Sequence, residues 1–109
     1  MAQKSITEII SIVKDYLSVL KKNNIRFEKV FLFGSYAKGL ALENSDIDIA
    51  LIMEDFEKDR FDTRLKLMKY SRNFSEVIEP HPFKFSEFDV SNPFAREIIK
   101  NGITIDLEN

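Results

Sequence analysis

Apolar residues recur at helical spacing near the start of the chain: Ile6, Ile9, Ile10, Val13, Leu17 and Leu20 fall on one side of a 3.6-residue turn. Ser5 and Glu8 stand where a capping box would open that helix, and Asn23-Asn24 where it would stop. The pattern then changes period. Val30-Phe31-Leu32-Phe33 is wholly apolar and too short for a helix, which predicts a strand buried on both faces. It breaks at Gly34-Ser35, and a helical turn over 36–38 and a loop over 39–45 should follow. Residues 46–53 read as a second strand, with Ile47, Ile49 and Leu51 on one side and Asp46 and Asp48 at one end.

Further along, 59–73 has the spacing of a helix, with Phe61, Leu65 and Met68 on one face and Lys66, Lys69 and Arg72 elsewhere. A third strand is expected over 77–81. Pro80 and Pro82 limit it, since neither can donate to a ladder, and Phe83-Lys84-Phe85 continues it irregularly. Asn92-Pro93 supplies an N-cap and a first-turn proline for a helix running to about Asn101, with Gly102 at the C′ position. A short strand over 103–107 closes the chain. This alternation predicts an α/β or α+β fold, a small mixed β-sheet flanked by helices. No repeat or Pro/Gly-rich linker interrupts it, so residues 1–109 are read as one domain.

Composition narrows the chemistry more than the fold. An apolar fraction of 44% with ten Phe residues supports a packed globule. Sixteen basic and eighteen acidic side chains nearly cancel to a net charge of −2, which argues against direct nucleic-acid binding by bulk electrostatics. Cysteine is absent and His81 is the single histidine, so thiolate catalysis and multi-His sites are excluded. A metal must then be held mainly by oxygen, which favours Mg²⁺, Mn²⁺ or Ca²⁺. No apolar run reaches the ~20 residues that span a bilayer, and the N-terminus lacks a leader-like segment, so no membrane association and a cytoplasmic location are expected.

Asp46 and Asp48 are two apart on a predicted strand, so both carboxylates project to one side while Ile47, Ile49 and Leu51 fill the other. Carboxylates held this close repel, and a divalent cation between them removes the cost. Asp-x-Asp alone also occurs by chance at strand ends. Gly34-Ser35 offers the complementary half. Glycine lets the backbone approach a ligand, helix-opening amides can bind phosphate, and the Ser35 hydroxyl adds a donor. Alone, Gly-Ser would equally make a tight turn and cap.

Together the two halves are specific. Phe33-Gly34-Ser35-Tyr36-Ala37-Lys38-Gly39 and Ser45-Asp46-Ile47-Asp48-Ile49-Ala50, with ten residues between Gly-Ser and Asp-x-Asp, resemble the signature of the DNA polymerase β-like nucleotidyltransferase superfamily. The Gly-Ser-Tyr-Ala-Lys-Gly wording most resembles its minimal nucleotidyltransferase branch. The resemblance implies the polymerase β-like fold and transfer of a nucleoside monophosphate, most simply AMP from ATP, by attack on the α-phosphorus. It implies two Mg²⁺ ions, with Mn²⁺ able to substitute, held by Asp46, Asp48 and a third carboxylate. Gly34 and Ser35 would hold the triphosphate. Lys38, where the family more often has arginine, would add a phosphate contact or stand as an exposed lysine on a short helix.

Glu79 is the first candidate for the third carboxylate, in place of the more usual aspartate, and Glu76 competes with it. His81, two residues beyond Glu79, is either solvated beside its prolines or available for proton transfer. Larger relatives carry a helical domain for the acceptor; this chain is expected to take that surface from a second copy, as a homo-oligomer, or from another protein. Minimal members are commonly paired with a small helical HEPN protein as the antitoxin of a toxin–antitoxin pair, and the implied acceptor is a hydroxyl such as tyrosine's on that partner. The competing reading is an antitoxin acting by contact, with a regulatory or vestigial nucleotide site. Transfer to a small molecule such as an aminoglycoside is weaker, with no second domain to bind it.

Overall fold

The first helix, α1 (Ile6–Lys22), begins and ends where side chains and turns satisfy its open backbone groups. Ser5 Oγ accepts from the Glu8 amide at 3.2 Å and Glu8 Oε1 accepts from the Ser5 amide at 2.9 Å, the expected capping box. At the other end Asn24 takes φ 63°, and the amides of Asn24 and Ile25 donate to the carbonyls of Lys21 and Leu20. That is a Schellman closure, sealed by the buried pair Leu20 and Ile25. The structure is a computed structural model that describes residues 4–42 and 44–107. The expectations reaching 1–3, 43 and 108–109 (the leaderless start, part of the 39–45 loop, the last residues of the domain) lie outside the described residues.

After α1 come β1 (Lys29–Phe33), α2 (Ser35–Lys38), β2 (Ile47–Met53), α3 (Arg60–Lys69), β3 (Ile78–Lys84), a 3₁₀ turn (Phe85–Glu87), α4 (Pro93–Asn101) and β4 (Ile103–Thr104). The sheet order is β3-β2-β1-β4; β1 runs antiparallel to β2 and β4, and β2 runs parallel to β3. This is the mixed sheet with flanking helices that the sequence predicts.

Alternation along the strands gives the sheet two unlike faces. Val30, Leu32, Ile47, Ile49 and Leu51 pack against Ile9, Val13, Leu17 and Leu20 of α1 and Leu67 of α3. Each fully buried aliphatic side chain there contributes roughly 1.5–3 kcal/mol. Tyr16, also in that core, donates its hydroxyl to the Leu67 carbonyl at 2.6 Å and so ties α1 to α3. The other face is aromatic: Phe31, Ala50, Ile52 and Phe83 lie beneath Ile98 of α4, with Phe33 and Phe88 at its margins.

Several boundaries differ from expectation, each for a physical reason. β2 is paired only from Ile47, leaving Asp46 just before it. β3 runs as regular strand through both prolines to Lys84, where the sequence predicts an irregular continuation beyond 81. The Ile47 amide donates to the Val77 carbonyl, so odd-numbered residues turn their backbone groups to β2 and the prolines face the open edge, where no N–H is needed. α3 is shorter than 59–73, because Asp59 caps it and Tyr70 ends it. Its Phe61, Leu65 and Met68 stripe is turned outward, and Leu67 supplies the buried contact. β4 is paired over two residues only. Among the described residues, no helix is long and apolar enough to cross a membrane.

Gly102 is the C-cap of α4 rather than C′, and its backbone is extended. A Cβ there would lie 2.5 Å from the Ile98 carbonyl oxygen and 3.2 Å from that of Leu32, so glycine seats the end of α4 against β1. Gly102→Ala is expected to destabilise the protein by about 1–3 kcal/mol, as overpacking does, measured by urea denaturation.

Candidate active site

β1 delivers the chain to Gly34, whose φ of +77° turns the backbone directly into α2. Buried Tyr36 anchors that short helix in the α1-side core. In the β1–β2 register Phe33 pairs with Asp48. Gly34 therefore lies against the Asp48 side chain, and a Cβ on it would stand 2.5 Å from Asp48 Oδ2. The glycine thus serves both the left-handed turn and the close approach. Ser35, the first residue of α2, follows at the same end of the sheet.

The parallel β2–β3 register sets Glu79 beside Asp48 and His81 beside Ala50. Ligand atoms of Asp48, Glu79 and His81 all lie within 4.8 Å of one another. Two full charges within 4.8 Å of each other repel by at least about 3 kcal/mol at an effective dielectric of 20 and about 1 kcal/mol in water. The half-buried carboxylates fall between those limits. A hydrogen bond to Asp46, then burial, then the charges of Asp46 and Asp48 raise the Glu79 carboxyl above its ordinary value of 4.5. One end of the β2–β3 pair thus gathers three carboxylates and an imidazole. Oxygen-rich and short of positive charge, this donor set fits a hard divalent cation.

The remaining candidates are placed differently. Glu76 is drawn off to Lys4 at 3.3 Å, before β3 begins, whereas Glu79 faces Asp48. Lys38 Nζ lies 3.8 Å from Glu97 of α4. His81 is not a free side chain beside its prolines: Nε2 lies 3.4 Å from Asp48 Oδ1, and the ring packs edge-on to Phe33 at 5.1 Å. Arg64, which sequence reasoning missed, reaches Glu79 from α3 at 3.9 Å, while its buried Nε has no hydrogen-bond partner among the described residues. Its only signal is position one turn before buried Leu67, which puts it on the sheet side of the helix. A hollow of about 470 Å³, lined in part by Arg26, Phe56 and Lys66, opens by Met53, at the other end of β2 from these groups.

Known proteins resemble this chain in sequence and in fold. The family described as "Polymerase beta, Nucleotidyltransferase" matches residues 13–108. A Methanocaldococcus jannaschii protein named as a candidate protein adenylyltransferase is 36% identical over 93 residues, covering 83% of this chain and 90% of its own. Among solved structures, a candidate nucleotidyltransferase from Sulfolobus solfataricus superposes with a TM-score of 0.64 at 23% identity, over 90% of this chain and 79% of that one. A toxin–antitoxin crystal structure with AMP-PNP gives 0.62 at 20% identity, over 88% and 74%. At such identities the structural likenesses speak for the fold.

Two predictions follow from the carboxylate group. Because the folded state raises the Glu79 carboxyl, it binds that proton more readily than the unfolded chain. The associated stability is present below the ordinary value of 4.5 and is lost as pH rises through the raised one. Scanning calorimetry in chelator should show wild type losing Tm over that window relative to Glu79→Gln, and a divalent cation at neutral pH restoring Tm in wild type far more than in the variant. Gly34→Ala should cost about 1–3 kcal/mol through backbone strain and displacement of Asp48, and should abolish the cation-induced rise in Tm.

Proposed function

The chain belongs to the polymerase beta nucleotidyltransferase family, and on that premise we propose that it transfers AMP from ATP to a hydroxyl group of a partner protein. The observation that carries this reading is the abutment of the Gly34 backbone on Asp48 with Glu79 in register beside it. A phosphate-binding turn and a carboxylate group then share one end of the sheet. We read residues 1–109 as one nucleotidyltransferase domain. The naming of a 36% identical relative for protein adenylyl transfer supports a protein acceptor. A toxin–antitoxin neighbour with AMP-PNP supports a nucleotide and a partner chain, here a small helical protein of the HEPN kind.

In this reading Asp46, Asp48 and Glu79 would hold two Mg²⁺ ions. Those cations would neutralise the triphosphate and the charge that grows on the departing pyrophosphate. Ser35 Oγ and the amides opening α2 donate to phosphate oxygens. The acceptor oxygen forms a bond to the α-phosphorus as the bond to pyrophosphate breaks. Its proton would pass to Glu79, which the β2–β3 register sets beside Asp48. Lys38 would add a phosphate contact by releasing Glu97, to which it is now paired at the surface.

A second reading, neutralisation of a helical partner by contact alone, draws on one observation. Phe61, Leu65 and Met68 are exposed on α3, next to the arginine that reaches Glu79. Labelling separates the two. With Mg²⁺, α-labelled ATP and extract of the source cell, wild type should label a protein band. Asp48→Asn should lower that labelling by on the order of 10²–10³-fold, the scale of losing one transition-state charge stabiliser. No label from any of the four nucleotides, with a helical protein still co-purifying, would favour contact alone.

A further inference from the structure

We propose that His81 is a direct metal ligand of this site, and that its nitrogen shifts the site's preference from Mg²⁺ towards a transition-metal ion, Mn²⁺ being the one whose liking for oxygen the carboxylates also meet. The inference rests on the nucleotidyl-transfer reading, since it concerns the same cations.

Parallel register carries His81 two residues beyond Glu79 on the same face, next to Ala50, whose methyl group leaves room for the ring to lean towards Asp48. The nitrogen turned that way is Nε2, 3.4 Å from Asp48 Oδ1. That is long for a good N–H···O bond. Neighbouring ligands of an octahedral ion with bonds of about 2.1 Å stand about 3 Å apart, so the separation suits two donors sharing one ion. The Glu79 donor completes a group within 4.8 Å, a spread that bonds of this length would contract only slightly.

The ring is also held. Phe33 meets it edge-on at 5.1 Å and Phe94 at 6.2 Å, and those two rings pack on each other at 5.7 Å. Pro80 and Pro82 fix the backbone on either side of it. A histidine serving only as a solvated surface residue needs none of this. Mg²⁺ strongly prefers oxygen, whereas first-row transition ions accept imidazole alongside carboxylate. A site with one nitrogen among its carboxylates therefore differs in preference from a wholly carboxylate one. For this role Nε2 must offer its lone pair, with the ring proton on Nδ1.

The test uses the full chain with Mn²⁺ and a non-hydrolysable ATP analogue, read by pulsed electron paramagnetic resonance for ¹⁴N coupling. Affinities for Mn²⁺ and Mg²⁺ are measured by competition. Two variants serve: His81→Phe keeps the ring packing without a nitrogen, and His81→Asn keeps polarity. Wild type should show a ¹⁴N coupling that both variants lose, and the ratio of Mn²⁺ to Mg²⁺ affinity should fall on the order of tenfold in each. Bound Mn²⁺ without a coupling that depends on His81, or an unchanged ratio in both variants, overturns the ligand role; if labelling from ATP persists, the transfer reading stands. Wild type that neither binds Mn²⁺ nor transfers label overturns both.

Discussion

Asp48 and Glu79 face each other across a parallel strand pair, and Asp46 stands close enough to hydrogen-bond Glu79. Their repulsion is the constraint on which the rest of the site depends. Backbone hydrogen bonds of the ladder hold the strands in register whatever the side chains prefer, so the carboxylates cannot separate to relieve the strain. Three adjustments remain visible. Glu79 holds its proton more tightly than usual, Arg64 approaches it from α3, and His81 leans on Asp48. The held proton and the Arg64 guanidinium are partial substitutes for the compact positive charge that a divalent cation would bring to the same place.

The fold makes this crowding affordable by concentrating its stability elsewhere. The α1 side of the sheet is an uninterrupted aliphatic core, closed by the Tyr16–Leu67 hydrogen bond between α1 and α3. The other face holds an aromatic cluster under α4, and that cluster ends at Phe33, His81 and Phe94, where the polar groups begin. Apolar packing and the polar groups of the candidate site thus occupy successive positions along the same strands. Gly34 makes the junction, since any side chain there would collide with Asp48.

Elements governed by local pattern were legible in the sequence. Ser5 and Glu8 announced the start of α1, the apolar run 30–33 announced β1, and alternation in 46–53 set Ile47, Ile49 and Leu51 against Asp46 and Asp48. Features that depend on how elements meet were not. Pro80 and Pro82 argued for a short strand because nothing local says that β3 is an edge. The Phe61, Leu65 and Met68 stripe has helical period, but period alone does not say which side of α3 meets the sheet. Glu79 and Glu76 differ in sequence only by three positions; their separation comes from the β2–β3 register and from Lys4. Arg64 and the aromatic seat of His81 arise wholly from packing between distant segments.

In the proposed reading the Gly34-Ser35 turn and the Asp46, Asp48 and Glu79 carboxylates form one site for a metal-bound nucleotide. A crystal structure of the protein with Mg²⁺ and a non-hydrolysable ATP analogue tests it most directly. Triphosphate oxygens should lie against Ser35 and the opening of α2, with cation density between those oxygens and the three carboxylates. Nucleotide bound elsewhere, with Arg64 and His81 still the partners of Glu79 and Asp48 and no ion among them, would contradict it.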